Sequence, residues 1–583
     1  MTKALPLAAP SVGFVSLGCP KNLVDSEVMM GLLDRAGARL TPRPEEAEIL
    51  VVNTCSFIDA AKQESVDTIL EMARHKTKGR ARKLIVAGCL VERYGDEIRK
   101  NIPEVDAVVG TGELAAILEA AGLDNAGVKS EVPQVSILRP GKSPTSPFNI
   151  LSGTAADVRS GRESQAGTHK SQEAPQNHPP GPKGPTNSAR RYGTTKVVPF
   201  HETRAATSFA AASSVVPKTQ EQKHGALAPA ATARPEGDHR EAHGRFRRDS
   251  WAGASHLLPT YLYDETTPRV LSTPRASAYV KIAEGCDHPC SFCVIPNLRG
   301  KFRSRRFESV VAEAGQLVAR GVQEITLIGQ DTTCYGEDLG LKDGLAALLE
   351  ALARIDGLRW LRFLYAYPNR ITGRLLETMA RHANICKYLD LPLQHASPDV
   401  LKRMKRGGGG EIFLKTLEKV RNAVPSIALR TSFIVGFPGE SLRDFELLEQ
   451  FITEARFDWL GVFSYSDEEG SGAFSLDAKI PKRTIEARRK RLMKLQQSIS
   501  RRVKQDWVGR ELALLTEGES AETPLLWEGR TEFHAPEIDG KVYINDFGPF
   551  PALEPSRFYR AQITAAHEYD LVARIVAAEN LRG

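Results

Sequence analysis

Three cysteines constrain this chain more than any other feature. In AYVKIAEGCDHPCSFCVIPNLRGKFRSR, Cys286, Cys290 and Cys293 follow a strand-like run with C-x3-C-x2-C spacing. A loop this tight can wrap three thiolates around one face of an iron–sulfur cubane and leave the fourth iron open. Zinc asks for a fourth ligand. His288 lies inside the loop, but no second ligand pair follows at finger spacing. Disulfides do not suit three thiols held this close in a reducing compartment.

The rest of the chain says which compartment that is. Eight cysteines among 583 residues are too few for a secreted disulfide scaffold. No run approaches the roughly 18 apolar residues of a membrane helix. The start, MTKALPLAAP, is too short and too weakly apolar for a signal peptide. A soluble, cytoplasmic protein of three to four domains is expected.

Residues 12–120 alternate β-branched apolar runs (12–19, 48–55, 83–89, 105–110) with amphipathic helical segments. That alternation predicts a parallel sheet covered on both faces. Its first three strands each end in a cysteine: Cys19, Cys55 and Cys89. In a parallel sheet all carboxyl ends share one edge, so the three thiols should converge. Such a set suits an iron–sulfur cluster with one open iron, or zinc with an open position.

From 274 to 505, six strand candidates alternate with helical patterns, which predicts a (β/α)6-type partial barrel with its chemistry at the carboxyl ends of the strands. The Gly-rich GFPGE (436–440) lies at such an end, where backbone can approach a ligand closely. KRGGGG (405–410) reads as a flexible loop, because no Gly-Lys-Ser/Thr follows it. Cys334 and Cys386 have no partner at ligand spacing and read as incidental. From about 507 onward, short strands with turn signals predict a small antiparallel β-barrel.

Charge separates one further segment. The net charge is +7, and residues 141–250 alone carry 16 Lys or Arg against 9 Asp or Glu, so the remaining chain sums to zero. That segment holds 11 of the 35 prolines and 6 of the 13 histidines, with no Cys or Trp. It cannot bury enough apolar surface to offset chain entropy, so a disordered insertion is expected. His239 and His243 within it read as composition, since no further ligand completes a set. The final module, 507–583, is acidic, with 13 Asp or Glu against 7 Lys or Arg. Its acids, including Glu532, Glu537 and Asp539, are expected to face a basic partner and to disfavour RNA.

Taken together, the amino-terminal cysteines, the C-x3-C-x2-C barrel and the small final barrel resemble the methylthiotransferase family of radical S-adenosylmethionine enzymes. SLGCPKNLVDSE, NTCSFI, AEGCDHPCSFC, LPLQHAS and GRTEFHAPEIDG resemble its branch that modifies an aspartate of small-subunit ribosomal protein twelve. The resemblance implies an amino-terminal methylthiotransferase domain at 10–123, an insertion at 124–259, a radical SAM domain at 260–505 and a TRAM-like barrel at 506–576. It implies two [4Fe–4S] clusters, an auxiliary one on Cys19, Cys55 and Cys89 and a radical-generating one on Cys286, Cys290 and Cys293. It also implies S-adenosylmethionine bound near Gln330, Gly436, Pro438, Gly439 and Glu440, no catalytic residues beyond the clusters, and reliance on an electron donor and a sulfur source. The implied reaction places SCH3 on the aspartate β-carbon. Two alternatives stay open: a tRNA adenosine methylthiotransferase, and a non-catalytic metal or cluster protein. The long insertion is a departure from the family pattern.

Overall fold

The computed structural model describes residues 9–123 and 261–579. The expected insertion at 124–259, with His239 and His243, lies outside the described residues.

The amino-terminal strands are β1 (Ser11–Ser16), β2 (Arg39–Thr41), β3 (Ile49–Thr54), β4 (Lys83–Gly88) and β5 (Ala107–Val109). They form one parallel sheet in the order β2-β1-β3-β4-β5. The strand period of two sends alternate residues to opposite layers. Ile49 and Val51 pack with Val24 and Val28 of helix α1 (Pro20–Arg35), whereas Leu50 and Val52 pack with Ile69 and Met72 of α2 (Asp59–Lys78). Both faces are therefore covered, which is why the strands read as continuous apolar runs. The short β2, in ARLT, was absent from the expected strands; three residues with one buried side chain leave no periodic signal.

α1 also buries Asn22, Asp25, Ser26 and Glu27, because its outer face is not solvated. It lies against the central domain, where Glu27 accepts from Arg269 Nε at 2.9 Å and from the Ser272 amide at 2.7 Å.

The central strands are β6 (Ser277–Lys281), β7 (Ala283–Glu284), β8 (Arg303–Ser304), β9 (Glu324–Ile328), β10 (Trp360–Phe363), β11 (Tyr388–Asp390), β12 (Ala428–Val435) and β13 (Trp459–Ser464). Two parallel sheets, β10-β9-β6 and β11-β12-β13, meet at a parallel bridge between Leu361 and Ile385. The result is the expected six-stranded partial barrel. β7 and β8 pair antiparallel and close the base of the loop that carries the second cysteine set.

The last strands, β14 (Glu511–Glu519), β15 (Trp527–Thr531), β16 (Val542–Asp546), β17 (Phe558–Ala566) and β18 (Leu571–Ala578), form a closed barrel in the order β14-β15-β16-β18-β17. One pair, β16–β18, is parallel, a departure from an all-antiparallel barrel.

The acids of this barrel correct another expectation. Glu532 accepts from the Lys387 amide at 3.0 Å, and Asp539 accepts from the Tyr388 hydroxyl at 2.7 Å and faces Arg430 Nε at 3.4 Å. One oxygen of Glu537 is buried without a donor from the protein, and burial, followed by the nearby Glu517, pushes its pKa up to about 8. All three turn inwards, against the central domain. Composition gave their charge but could not tell which face they occupy.

Candidate functional site

The ends of β1, β3 and β4 are level, since Ser16 pairs with Asn53 and Thr54 with Gly88. Each strand end leads to a cysteine, directly after β3 and β4 and after two intervening residues at β1. Cys19 caps α1, Cys55 follows β3, and Cys89 opens the helix Cys89–Asn101. Gly18 lets the first two loops touch. It has φ +88°, and a Cβ there would fall 2.7 Å from Cys55 Cβ and 3.0 Å from Cys55 Sγ. Asn22 ties the edge together by donating to Leu17 O at 3.0 Å and Thr54 O at 2.7 Å. Ser56 Oγ donates to Cys89 O at 2.9 Å. Burial raises the pKa of Cys55, with Cys89 and Cys19 adding to the shift. Burial likewise raises that of Cys89, against the pull of Arg299.

The second set sits on one loop between β7 and β8. At its base Gly285 has φ +78°, and a Cβ would fall 2.0 Å from Lys301 O. The Cys286 amide donates to Gly300 O at 3.1 Å, and the Cys293 amide to Cys290 O at 3.2 Å. The loop is pinned to the barrel through Ser291, whose amide donates to Met404 O at 3.0 Å and whose hydroxyl donates to Arg403 O at 2.8 Å. Burial pushes Cys286 up to about 11 and Cys293 up to about 12. Arg406 Nη1 approaches Cys290 Sγ at 3.5 Å and its guanidinium lies 4.5 Å from the centre of the Tyr367 ring.

These donor sets fit iron–sulfur clusters. Each set gathers three thiols, the donor type that binds iron as thiolate, and metal binding is coupled to loss of the thiol proton. A single tetrahedral zinc with Zn–S near 2.3 Å draws its sulfurs to within about 4 Å of one another. Among the described residues, only His288, Asp331 and Cys334 bring three ligand atoms within 4.8 Å of one another. Neither cysteine set is gathered that closely. His288 does not complete the second set: its Nε2 pairs with Asp331 Oδ2 at 2.6 Å and its ring stacks on Tyr367. Cys334, which looked incidental, donates to Asp331 Oδ2 at 3.0 Å. Cys386 is buried in the core.

Around the second set, Gln330 Nε2 donates to Glu284 Oε1 at 2.7 Å, while its own Oε1 is buried with no donor from the protein. The turn 436–440 is locked by Glu440, which accepts from the Gly436 amide at 2.5 Å and from Arg488 Nη1 at 2.6 Å. Arg403 Nη2 donates to Gly439 O at 2.8 Å, and Pro438 is buried. The Glu440 carboxylate is engaged within the turn, so the turn offers a ligand its backbone.

Three side chains cross the seam beside the two sets, and none was singled out from the sequence. Arg299, six residues beyond Cys293, reaches Asn22 Oδ1 at 2.6 Å, Asp25 Oδ2 at 2.7 Å and Cys89 Sγ at 3.4 Å. Lys281 joins the same network through Asp25 and Glu284, at 2.5 and 2.6 Å. Burial opposes the Glu284 charge, but Lys281 and Arg299 outweigh it and hold the carboxyl well below its usual range. From the other side, Lys21 Nζ donates to Gly329 O at 3.2 Å and lies over the Tyr365 ring. The available signal was a lysine in the middle of the apolar strand AYVKI and charged residues flanking each cysteine motif.

Comparison with known proteins agrees with this architecture. Residues 11–110 match the family described as Uncharacterized protein family UPF0004, residues 280–452 the Radical SAM superfamily and residues 508–576 the TRAM domain. A protein of Koribacter versatilis (strain Ellin345) named Ribosomal protein uS12 methylthiotransferase RimO is 58% identical over 565 residues, covering 97% of this chain and 96% of its own. Proteins of the same name from Solibacter usitatus (strain Ellin6076) and Pelotomaculum thermopropionicum are 47% and 39% identical. Each covers 97% of this chain, and the match spans 95% and 99% of their own lengths. On these identities and this architecture, the chain belongs to the RimO family of ribosomal protein uS12 methylthiotransferases.

Proposed function

We propose that this chain is a radical S-adenosylmethionine enzyme that inserts SCH3 at the β-carbon of an aspartate of small-subunit ribosomal protein uS12. One observation carries the reading. Two sets of three thiols flank one interdomain seam, which Arg299, six residues beyond Cys293, crosses to reach Cys89 Sγ and Lys21, two residues beyond Cys19, crosses to reach Gly329 O. A lone structural metal site would need neither the second set nor these crossings.

Cys19, Cys55 and Cys89 would hold an auxiliary [4Fe–4S] cluster, and Cys286, Cys290 and Cys293 the radical-generating one. When bound, these groups supply reductive cleavage of S-adenosylmethionine at one set and transferable sulfur at the other. The protein supplies position. Gln330 would offer its buried amide oxygen to the methionyl end of the cofactor, and the backbone of Gly436, Pro438 and Gly439 would line the pocket. Glu440 keeps that turn in shape. Arg406 and Arg299 each place a guanidinium against a ligand sulfur, where hydrogen bonds help set a cluster's potential. An electron donor and a sulfur source are required as partners. No helix among the described residues is long and apolar enough to cross a membrane, and six ligand thiols favour the reducing cytoplasm.

Anaerobic reconstitution with iron and sulfide, followed by incubation with S-adenosylmethionine and either uS12 or an anticodon stem-loop, tests the reading by mass spectrometry. Methylthiolated uS12 is expected. Methylthiolated RNA instead would move the assignment to the tRNA-modifying branch.

A further inference from the structure

Two lysines along the seam of the amino-terminal domain find carboxylates. Lys281 reaches Asp25 and Glu284, and Lys62 of α2 reaches Glu468 beyond β13 at 2.9 Å. Lys21 is different. It follows Cys19 by two residues, and its Nζ rests 3.2 Å from Gly329 O and 3.5 Å from the centre of the Tyr365 ring. Among the described residues no carboxylate lies within ion-pair distance of it. The titratable groups facing it are Tyr365, Cys19, Arg299 and Glu284.

The seat under this ammonium is built with care. Gly329 follows β9 and immediately precedes Gln330. Tyr365 lies just past β10 with φ +64°, a left-handed conformation that a bulky residue adopts only under strain. Its neighbours hold it there: the Tyr365 amide donates to Asp390 Oδ2 at 2.9 Å, and the Thr332 amide donates to Tyr365 O at 3.2 Å. The lysine thus stands between the strand-end cysteines and the carboxyl edge of the barrel, with a carbonyl and a ring face for company and no matching anion.

We propose that Lys21, seated on Tyr365, is the receptor for a carboxylate, and that this carboxylate is the side chain of the substrate aspartate. The inference rests on the function proposed above and deepens it. A charge-assisted hydrogen bond holds a carboxylate oxygen about 2.8 Å from an ammonium. The reacting β-carbon is then two covalent bonds from that oxygen, between Cys19 on one side and Gln330 on the other. The amino-acid end of S-adenosylmethionine carries the same chemistry. The aspartate is favoured because Lys21 rides on the helix that Cys19 caps, the side from which sulfur is transferred.

The test uses reconstituted full-length enzyme, uS12, and a uS12 whose modified aspartate is replaced by asparagine. Wild-type enzyme should bind the aspartate form roughly tenfold or more tighter, as for a hydrogen bond to a charged group. Lys21→Met should lose that preference, weakening binding of the aspartate form and leaving the asparagine form nearly unchanged. Lys21→Arg should restore part of it. Iron content and S-adenosylmethionine affinity should match wild type. Wild-type enzyme that modifies uS12 yet binds both forms equally overturns the proposal without needing any variant. Lys21→Met enzyme that keeps the preference also overturns it, as does one whose loss falls on S-adenosylmethionine affinity. Wild-type enzyme that modifies no uS12 at all removes the functional reading first, and this proposal with it.

Discussion

The two cysteine sets present three thiols each, yet they are built in opposite ways. Cys286, Cys290 and Cys293 occupy one hairpin loop, so their proximity is a local property of the chain. Cys19, Cys55 and Cys89 come from three strands and exist as a set only because β1, β3 and β4 end level in one sheet. A local set tolerates loosening of distant parts, whereas a topological set depends on every strand that carries it. The contrast also runs through the bridge. Arg299 belongs to the segment of the local set but contacts a sulfur of the topological one.

The largest break in this comparison comes from removing ligands. Alanine at Cys286, Cys290 and Cys293 together should remove about four irons and four sulfides per chain, and alanine at Cys19, Cys55 and Cys89 should remove the other four. Iron and sulfide analysis of anaerobically reconstituted protein checks this. Two zinc ions and no sulfide would contradict both assignments.

A smaller, crossed effect should come from the glycines beneath each set. Gly18→Ala must strain a left-handed backbone and push against Cys55, and Gly285→Ala must do the same against Lys301 O. Each should cost about 1–3 kcal/mol locally. The first should deplete only the auxiliary iron and the second only the radical-generating iron, as resolved by electron paramagnetic resonance of the two triple-cysteine backgrounds.

Smaller again is the effect of the bridge. Arg299→Lys keeps the positive charge but loses the fork that spans Asn22, Asp25 and Cys89. Withdrawing a donor from a ligand sulfur should lower the midpoint potential of the auxiliary cluster by tens of millivolts and leave the other cluster unmoved. A redox titration that moved both potentials together would show that Arg299 acts through overall packing.

How far these features were legible follows the same division. The local set could be read directly, because its spacing is written in consecutive residues. The strand-end set was legible one step further on, through the parallel-sheet pattern that brings carboxyl ends to one edge. What escaped depended on partners distant in sequence. Asp25 and Arg299 are 274 residues apart, and nothing in either neighbourhood names the other. The parallel pairing of β16 with β18 was equally hidden, since short strands do not encode the direction of their neighbour. Glu532, Glu537 and Asp539 looked like surface charge because composition carries no facing.

The smallest effect sits at a control position remote from both sets. Glu537 has a folded pKa of about 8, above its ordinary 4.5. The folded chain therefore holds a proton that the unfolded chain releases, and this contribution is complete below pH 4.5 and lost as pH rises through 8. Glu537→Gln should raise the melting temperature at pH 8 by about 2 °C and leave it unchanged near pH 4, with iron content the same. A gain of equal size at both pH values would assign the effect to packing.

The division of labour between the two sets is the central claim, and one measurement tests it most directly. The folded Cys19→Ala, Cys55→Ala, Cys89→Ala variant is reconstituted anaerobically and incubated with reductant, S-adenosylmethionine and uS12, and both 5′-deoxyadenosine and methylthiolated uS12 are quantified by mass spectrometry. We predict 5′-deoxyadenosine without methylthiolated uS12. Loss of both products, or persistence of methylthiolation, would contradict the account.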